Sequence, residues 1–447
     1  MITVQEKKRI QTEFQDKMDY DELLNCMRCG FCLPSCPTYI ESGYDEAHSP
    51  RGRIALMKAV VDGDIEPDED VKRSLDMCLG CRACEPVCPS GVNYGHLLEQ
   101  ARDIIYQNHQ LTASTKAIRN IAFKGLFPNQ SRMRTMTGLL GFYQRSGLQK
   151  AARRTGLMKF LPENLRTMEQ VLPEVPSLKQ LKNRPDHLPS LVPQKKKVAF
   201  FSGCLMDSMF MATNDATMKL LQYAGCEIVI PDSQACCGAL HGHSGEKQQA
   251  KELAKRNIAA FETSGADYII TNAGGCGAFL TDYDHLLKDD PEWAPRAAAF
   301  AVKIKDISSV LSELEFDKLP LELPEQIITY QDSCHLKNVQ KTFLEPRQLL
   351  QSIAGAQYKE MKDADRCCGS AGIYNIVESE MSMQILDYKM EQVQDTMAKT
   401  IVTANPGCLL QMKLGIEREG LADNMRVVHI VDLLLEAYEY ARQPVGS

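Results

Sequence analysis

The sequence contains little that would carry the chain into or across a membrane. A membrane-spanning helix needs about 20 consecutive apolar residues. No run in this chain approaches that length, and one of the best, residues 427–435, is interrupted by His429 and Asp432. Residues 1–24 are charged from the start and contain no apolar stretch, so no signal peptide is predicted. We therefore expect a cytoplasmic protein.

Motifs for an organic cofactor are also missing. The chain has no phosphate-binding P-loop, no serine nucleophile elbow and no glycine fingerprint of a dinucleotide-binding fold. A flavin or nicotinamide is therefore expected on another chain. The net charge of -7 and the lack of a recognised nucleic-acid motif argue against nucleic acid as a partner.

Cysteine, in contrast, is abundant, with 17 among the 447 residues. In a cytoplasmic protein this favours metal or redox chemistry over disulfides. Eight of these cysteines lie in two copies of the pattern C-x2-C-x2-C-x3-C-P. The copies are Cys26, Cys29, Cys32, Cys36 with Pro37, and Cys78, Cys81, Cys84, Cys88 with Pro89.

This spacing is typical of bacterial [4Fe-4S] modules, in which the fourth cysteine of each motif ligates the other cluster. It therefore predicts two [4Fe-4S] clusters. The ligands of the first would be Cys26, Cys29, Cys32 and Cys88, and those of the second Cys78, Cys81, Cys84 and Cys36. A structural zinc pair is the alternative, although zinc normally takes two C-x2-C pairs.

A helix is predicted between the two motifs, with Pro50 in its first turn. Arg51 and Arg53 would then lie close to a cluster, where a cation stabilises the reduced state. Ordinary surface arginines are the alternative interpretation.

The second part of the chain repeats itself. Four cysteines recur 130 to 132 residues later, and each copy has Cys-Cys-Gly at its centre. The first copy has Cys204, Cys236, Cys237 and Cys276, and the second has Cys334, Cys367, Cys368 and Cys408. Strands are predicted before these cysteines at 197–201, 227–230 and 266–271, and again at 326–330, 357–361 and 400–404. Helices are predicted to end at Gly225 and Gly355. Because open α/β sheets bind ligands at the carboxyl ends of their strands, the four thiols of each copy should converge.

We interpret these eight cysteines as ligands of one or two further iron-sulfur clusters, in at least one copy. Redox-active thiols or simple packing are the alternatives. Cys226 lies outside the repeat and is expected in the core. His241, His243 and His335 are candidates for a ligand, a proton carrier or a donor to sulfur, although structural histidines are commoner. Asp332 would orient His335.

The segment between these regions carries charge of one sign. Residues 104–162 contain no Asp or Glu but ten basic residues: Lys116, Arg119, Lys124, Arg132, Arg134, Arg145, Lys150, Arg153, Arg154 and Lys159. Apolar and aromatic residues alternate with them. Such a stretch suits an anionic lipid surface or an acidic partner protein, and a solvated linker is the alternative. Residues 183–196 contain three prolines and are predicted to be a linker.

These patterns predict a multidomain chain with an N-terminal α-helical dicluster ferredoxin-type module followed by two tandem α/β Cys-Cys-Gly domains. The module would span residues 1–108, and the basic helical segment and linker 109–194. The two Cys-Cys-Gly domains would span 195–323 and 324–447.

The two cysteine motifs, the segment Ser49-Pro50-Arg51-Gly52-Arg53 and the tandem Cys-Cys-Gly repeats resemble the iron-sulfur subunit of glycolate oxidase along essentially the whole chain. The architecture is also similar to the third subunit of anaerobic glycerol-3-phosphate dehydrogenase and to heterodisulfide reductase. In the glycolate oxidase family, a flavoprotein takes electrons from a 2-hydroxy acid, and they pass through the clusters to a membrane quinone.

The resemblance therefore implies the electron-transfer subunit of a glycolate or D-lactate dehydrogenase. It implies an FAD-containing partner subunit and a peripheral position on the inner face of the cell membrane. The alternatives are disulfide reduction, as in heterodisulfide reductase, and the equivalent glycerol-3-phosphate dehydrogenase subunit. Heterodisulfide reductases use a C-x-x-C pair and five cysteines per non-cubane cluster. Ala273 and Asn405 stand at the corresponding positions here, which favours a four-cysteine cluster or a site shared between the two copies.

Overall fold

The N-terminal region is built from helices connected by the two cysteine loops. The computed structural model describes residues 2–160, 166 and 169–443. Its first helices are Val4–Lys17, Tyr20–Leu24, Pro37–Glu41, Pro50–Asp62, Glu69–Asp76 and Tyr94–Asn108, with a 3-10 turn at Glu46–His48. Pro50 begins its helix as predicted, and the Ser49 side chain caps it by accepting a hydrogen bond from the Gly52 N–H.

The basic segment is also helical. Its elements are Ala113–Arg119, the π-helical turn Asn120–Leu126, Gln130–Arg145, Leu148–Arg154, the 3-10 turn Leu157–Phe160 and Leu178–Lys182. The longest helix packs closely through Gly138, where a Cβ would lie only 2.1 Å from Cδ2 of Leu178. This helix is therefore attached to the fold along one side.

A five-stranded sheet follows. Its strands are β1 (His187–Leu188), β2 (Lys196–Phe200), β3 (Cys226–Val229), β4 (Tyr268–Thr271) and β5 (Ile304–Asp306), in the order β1-β3-β2-β4-β5. All neighbours are parallel except β1, which pairs antiparallel with β3. The segment predicted to be a linker, 183–196, contains the edge strand β1 and the first residue of β2, and its role as a linker stays a prediction.

The second sheet has four parallel strands. They are β6 (Glu322–Gln331), β7 (Ala354–Tyr358), β8 (Thr400–Thr403) and β9 (Arg426–His429), in the order β7-β6-β8-β9. In the first sheet, β3-β2-β4-β5 are arranged in the same way as β7-β6-β8-β9. The recurrence of cysteines in the sequence thus corresponds to a recurrence of strand order.

Helices surround both sheets. Those of the first copy are Leu205–Ser208, Met211–Ala224, Ala239–His243, Lys247–Glu262, Gly274–Thr281, Tyr283–Leu286, Ala294–Ala301 and Ile307–Glu313, followed by the 3-10 turn Phe316–Lys318. Those of the second are Cys334–Asn338, Leu344–Gln351, Tyr374–Val377, Ser379–Thr396, Pro406–Arg418 and Ile430–Tyr440. Among the residues described, no helix is long and apolar enough to span a bilayer.

One apolar core joins the two sheets. Val198 and Phe200 of β2 belong to the same buried cluster as Ile328 and Tyr330 of β6. Cys226 is fully buried in this cluster, as predicted. The two copies are therefore packed against each other, and the domain limits at 323 and 324 stay a prediction.

The two glycines predicted to end helices behave differently. Gly225 follows Met211–Ala224 in the left-handed conformation, as expected. The prediction for Gly355 is wrong: the helix ends at Gln351, and Gly355 lies inside β7 with φ 78°. A Cβ there would lie 2.0 Å from the carbonyl oxygen of Leu323. Glycine is needed at this position because β7 approaches the backbone of β6 closely.

We expect Gly355→Ala to destabilise the protein by about 3 kcal/mol or more, because the left-handed conformation and the clash act together. Gly420 is the matched control, since its φ is 66° but no atom lies within 4 Å of its Cβ position. Gly420→Ala should cost only about 1–2 kcal/mol. Denaturant unfolding measures both, and equal losses would contradict the importance of the contact with Leu323.

Candidate metal centres

The two ferredoxin-type loops bend at matching positions. In each loop, the residues on either side of the second cysteine have a positive φ. They are Arg28 (56°) and Gly30 (88°) in the first loop, and Gly80 (63°) and Arg82 (57°) in the second. The left-handed region favours glycine, yet each loop has arginine at one of these places. These turns wrap each loop so that its thiols face a common space.

The outer set consists of Cys26, Cys29, Cys32 and Cys88. These four line one cavity, together with Cys84. Three come from the first motif and one from the second, which is the grouping that the spacing predicted for one cluster. Cys29 is exposed, and so are the neighbouring Met27 and Phe31. The outer set therefore reaches the surface.

The inner set consists of Cys36, Cys78, Cys81 and Cys84, and it lies deeper. All but Cys81 are buried, and their thiols are electrostatic neighbours of one another. The hydroxyl of Tyr94 and the N–H of Gly80 donate to Sγ of Cys78, at 3.5 and 3.4 Å. Such donors favour the thiolate form of Cys78.

Two buried arginines lie beside the inner set. Arg53 is 0% exposed and donates to the Ser74 carbonyl at 2.7 Å and to Oγ1 of Thr38 at 3.1 Å. Arg102 donates to the carbonyl of Cys78 at 2.7 Å. Burial by itself would raise the pKa of Cys78, but the two guanidinium groups bring it below its ordinary value. The interpretation of Arg53 as a surface arginine is therefore wrong.

The first repeat set consists of Cys204, Cys236, Cys237 and Cys276. These cysteines follow β2, β3 and β4, whose parallel arrangement places their carboxyl ends at one edge. Neighbouring thiols are in hydrogen-bond contact in the order in which they occur along the chain. The structure thus brings together the four thiols that the repeat pattern predicted to converge.

Polar side chains hold the Cys-Cys turn of the first copy. Oδ1 of Asn257 accepts from the Ala235 N–H at 2.7 Å, and its Nδ2 donates to the Cys236 carbonyl at 3.0 Å. The Tyr283 hydroxyl donates to the carbonyl of Cys237 at 2.7 Å. No local motif identified Asn257 and Tyr283 as part of the site, because both lie on helices that are distant in sequence from the Cys-Cys turn they bond.

The second repeat set consists of Cys334, Cys367, Cys368 and Cys408. It follows β6, β7 and β8, and its thiols are linked in the same order. A buried lysine, Lys389, lies nearby and donates to the carbonyl of Asp363. Burial lowers the pKa of Lys389 to about 8, although the charges of Cys368 and nearby carboxylates oppose the shift. The first copy has the uncharged Asn257 at the corresponding position, 132 residues earlier, because the buried positions of the two helices match at this offset.

The chemistry of these donors fits metal clusters. The pKa values of Cys204 and Cys334 lie well above the ordinary value, because each shares a hydrogen bond with the next thiol in its set and is buried. Thiols this close cannot all ionise unless positive charge is added, and bound metal supplies that charge. Within the described residues, no three Cys, His, Asp or Glu side chains are grouped to hold a single metal ion. The outer set instead surrounds a cavity, as a multi-iron cluster requires.

The inner set lies directly against the second repeat set. Cys334 is the thiol with the largest charge interaction with Cys81. Nε2 of His335 bonds the carbonyl of Gly80 at 2.8 Å, and Nδ2 of Asn338 donates to the carbonyl of Cys81 at 2.9 Å. The corresponding residues of the first copy, 130 positions earlier, are Leu205 and Ser208, and neither makes this contact.

The two repeat sets also adjoin. Oδ1 of Asn405 accepts from the N–H of Gly275 at 3.1 Å, and its Nδ2 lies 3.7 Å from Sγ of Cys408. Ala273, the other residue in place of a fifth cysteine, is buried in an apolar cluster that includes Cys408. Both residues therefore lie where the two copies are in contact.

The candidate histidines bond main-chain or carboxylate groups. Nε2 of His241 contacts the carbonyl of Phe123 at 2.7 Å, and Nδ1 of His243 contacts Glu99 at 2.8 Å. The prediction that Asp332 orients His335 is wrong. Asp332 instead accepts two hydrogen bonds from Arg347, at 2.9 and 2.7 Å, because that planar guanidinium matches its carboxylate.

Comparison with known proteins finds the same parts in the same order. The model of a 4Fe-4S dicluster domain matches residues 22–92, and that of the linker region of the glycolate oxidase iron-sulfur subunit matches 114–172. The model of a cysteine-rich domain matches 198–281 and 328–413. The chain is 70% identical over 438 residues to the probable glycolate oxidase iron-sulfur subunit of Bacillus subtilis, covering 98% of this chain and 99% of that protein. The chain belongs to the glycolate oxidase iron-sulfur subunit family.

Other members and relatives agree with this assignment. The glycolate oxidase iron-sulfur subunit of Escherichia coli is 30% identical over 443 residues, which cover 96% of this chain and 100% of that protein. Lactate utilization protein A of an Exiguobacterium species is 31% identical over 245 residues, 55% of this chain and 99% of that protein. The resemblance inferred from the sequence is confirmed. This member of the family is an iron-sulfur protein of an oxidoreductase.

We expect Asn257→Ala to lower the free energy of unfolding by about 2–4 kcal/mol, because it leaves the buried Ala235 N–H and Cys236 carbonyl without partners. The exposed Asn424 provides the control, and Asn424→Ala should change stability by less than about 0.5 kcal/mol. Thermal or denaturant unfolding measures both variants. Equal stability of the two would show that Asn257 does not hold the turn.

Proposed function

We propose that this chain is the electron-transfer subunit of a flavin-dependent glycolate or D-lactate dehydrogenase. An FAD-containing partner subunit would oxidise the 2-hydroxy acid, and this chain would pass the electrons towards a membrane quinone. The observation that carries the proposal is the continuity of the thiol sets. Neighbouring sets are in contact from the exposed Cys29 of the outer set to the inner set and on to the second repeat set. The names of the relatives support the choice of substrate class.

The proposed ligands follow from this arrangement. Cys26, Cys29, Cys32 and Cys88 would hold one [4Fe-4S] cluster, and Cys78, Cys81, Cys84 and Cys36 the other. The two repeat sets would each hold a further four-cysteine cluster. When bound, such clusters supply one-electron redox chemistry. The chain itself positions the thiols, buries three of the four in the inner set and supplies cations beside it.

Iron and sulfide analysis of the anaerobically purified protein tests this proposal. Two clusters would give about eight irons, and loaded repeat sets about twelve or more. Cys237→Ser and Cys368→Ser should each remove the iron of one repeat set, about four irons for a four-iron cluster, and leave the iron of the other sets in place. Cys226→Ala is the control, because Cys226 is buried in the core outside every set, and it should keep the full iron content.

Two results would overturn the assignment. Zinc in place of iron would make the chain a scaffold, and turnover of a small disulfide without the flavoprotein would favour disulfide reduction. Wild-type content of about eight irons would restrict the relay to the N-terminal sets.

The basic segment supports a membrane-facing position. On helix Gln130–Arg145, Met133, Gly138 and Gly141 are buried, whereas Met136, Leu139 and Phe142 are 54%, 58% and 63% exposed. Exposed apolar side chains within an acid-free, basic segment complement an anionic lipid surface. Three arginines of this segment, however, form ion pairs with carboxylates of the same chain. Arg119, Arg134 and Arg153 pair with Glu246, Asp207 and Glu169.

Replacing Leu139 and Phe142 together by serine should weaken binding to phosphatidylglycerol vesicles about thirtyfold, as expected for the loss of about 2 kcal/mol of apolar burial. Val302→Ser removes a similarly exposed apolar side chain elsewhere and should leave binding unchanged. Vesicle co-sedimentation measures both, and binding should also fall with salt. Unchanged vesicle binding combined with lost flavoprotein binding would assign this surface to the partner subunit.

A further inference from the structure

Arg53 is a buried cation whose charge is not neutralised by a carboxylate among the described residues. Its Nη1 is buried and has no hydrogen-bond partner there. The groups with which its charge interacts most strongly are the Cys78 and Cys36 thiols and the Tyr94 hydroxyl. An isolated charge is strongly unfavourable in a protein interior. A permanent anion should therefore lie beside Arg53 in the working protein.

The contacts of Arg53 point at the inner set. Its Nη2 donates to Oγ1 of Thr38 at 3.1 Å, and this oxygen lies 3.3 Å from Sγ of Cys36. Its Nε donates to the Ser74 carbonyl at 2.7 Å, which fixes the plane of the guanidinium. The side chain is thus held by two hydrogen bonds near the Cys36 thiol, while its Nη1 has no hydrogen-bond partner among the described residues.

The charge of Arg51, two residues earlier, is neutralised by a carboxylate. Its Nε and Nη2 donate to the carboxylate of Glu46 at 2.6 and 3.1 Å, and its Nη1 donates to the Arg28 carbonyl at 3.1 Å. It lines the cavity of the outer set. One helix therefore presents a neutralised arginine to the outer set and an unneutralised arginine to the inner set.

We propose that Arg53 is the countercharge of the cluster bound by the inner set and that it raises the reduction potential of that cluster. Reduction adds a negative charge, which burial disfavours and an adjacent unpaired cation stabilises. Arg53 is a positioning residue in this role, since it would act on the cluster through its charge and not as a ligand. The inference rests on the proposed function, because it requires a [4Fe-4S] cluster at Cys36, Cys78, Cys81 and Cys84.

The test is a redox titration of the complete, iron-loaded protein with dithionite, followed by EPR. Cys29→Ser, which alters the outer set alone, identifies the signal of the outer cluster, and Cys81→Ser identifies that of the inner cluster among the remaining signals. Arg53→Gln should lower the ratio of reduced to oxidised inner cluster about tenfold at a fixed potential, equal to about 59 mV for one electron. Arg53→Lys keeps the charge and should shift the ratio much less. Arg51→Gln is the matched control and should leave the inner signal unchanged.

Each possible result either supports or contradicts the proposed role of Arg53 as countercharge. Loss of the inner cluster in Arg53→Gln but not in Arg53→Lys would also support the countercharge, because charge alone separates the variants. Loss in both, or an unmoved potential in Arg53→Gln, would overturn it and leave Arg53 as a packing residue. Wild-type protein without iron at the inner set would instead refute the proposed function before any variant is compared.

Discussion

Close packing of thiols in a buried environment is the constraint on which the rest of this structure depends. Thiols that touch one another in low dielectric resist ionisation, as the raised pKa values of Cys204 and Cys334 illustrate. They become ligands only where positive charge is supplied. The fold supplies part of it through Arg53 and Arg102 at the inner set and Lys389 near the second repeat set.

Two different backbone solutions bring the thiols together. The ferredoxin-type loops use paired left-handed residues around the second cysteine, so neighbouring residues in the sequence form one face of a site. The repeats use the carboxyl ends of parallel strands, so cysteines far apart in sequence meet at one sheet edge. Side chains from other helices, such as Asn257 and Tyr283, then fix the turns.

The two copies have the same strand order, yet their surroundings differ. His335 and Asn338 attach the second copy to the inner loop, whereas Leu205 and Ser208 occupy these places in the first. The copies also differ in local charge, since Lys389 of the second copy stands where the first has the uncharged Asn257. The two copies therefore share a scaffold, but of the two only the second makes these contacts with the loop of the inner set.

The sequence by itself determined the cysteine groups, the order of the parts and the strands before each repeat cysteine, because spacing and short-range patterns encode them. Only the tertiary structure decided that Arg53 is buried while Arg51 is paired, that Gly355 lies in a strand and that His187–Leu188 forms an edge strand. It also decided that Asp332 binds Arg347 and that the inner set lies against the second repeat set. These features depend on residues that are distant in sequence, and their burial and pairing exist only once the chain has packed.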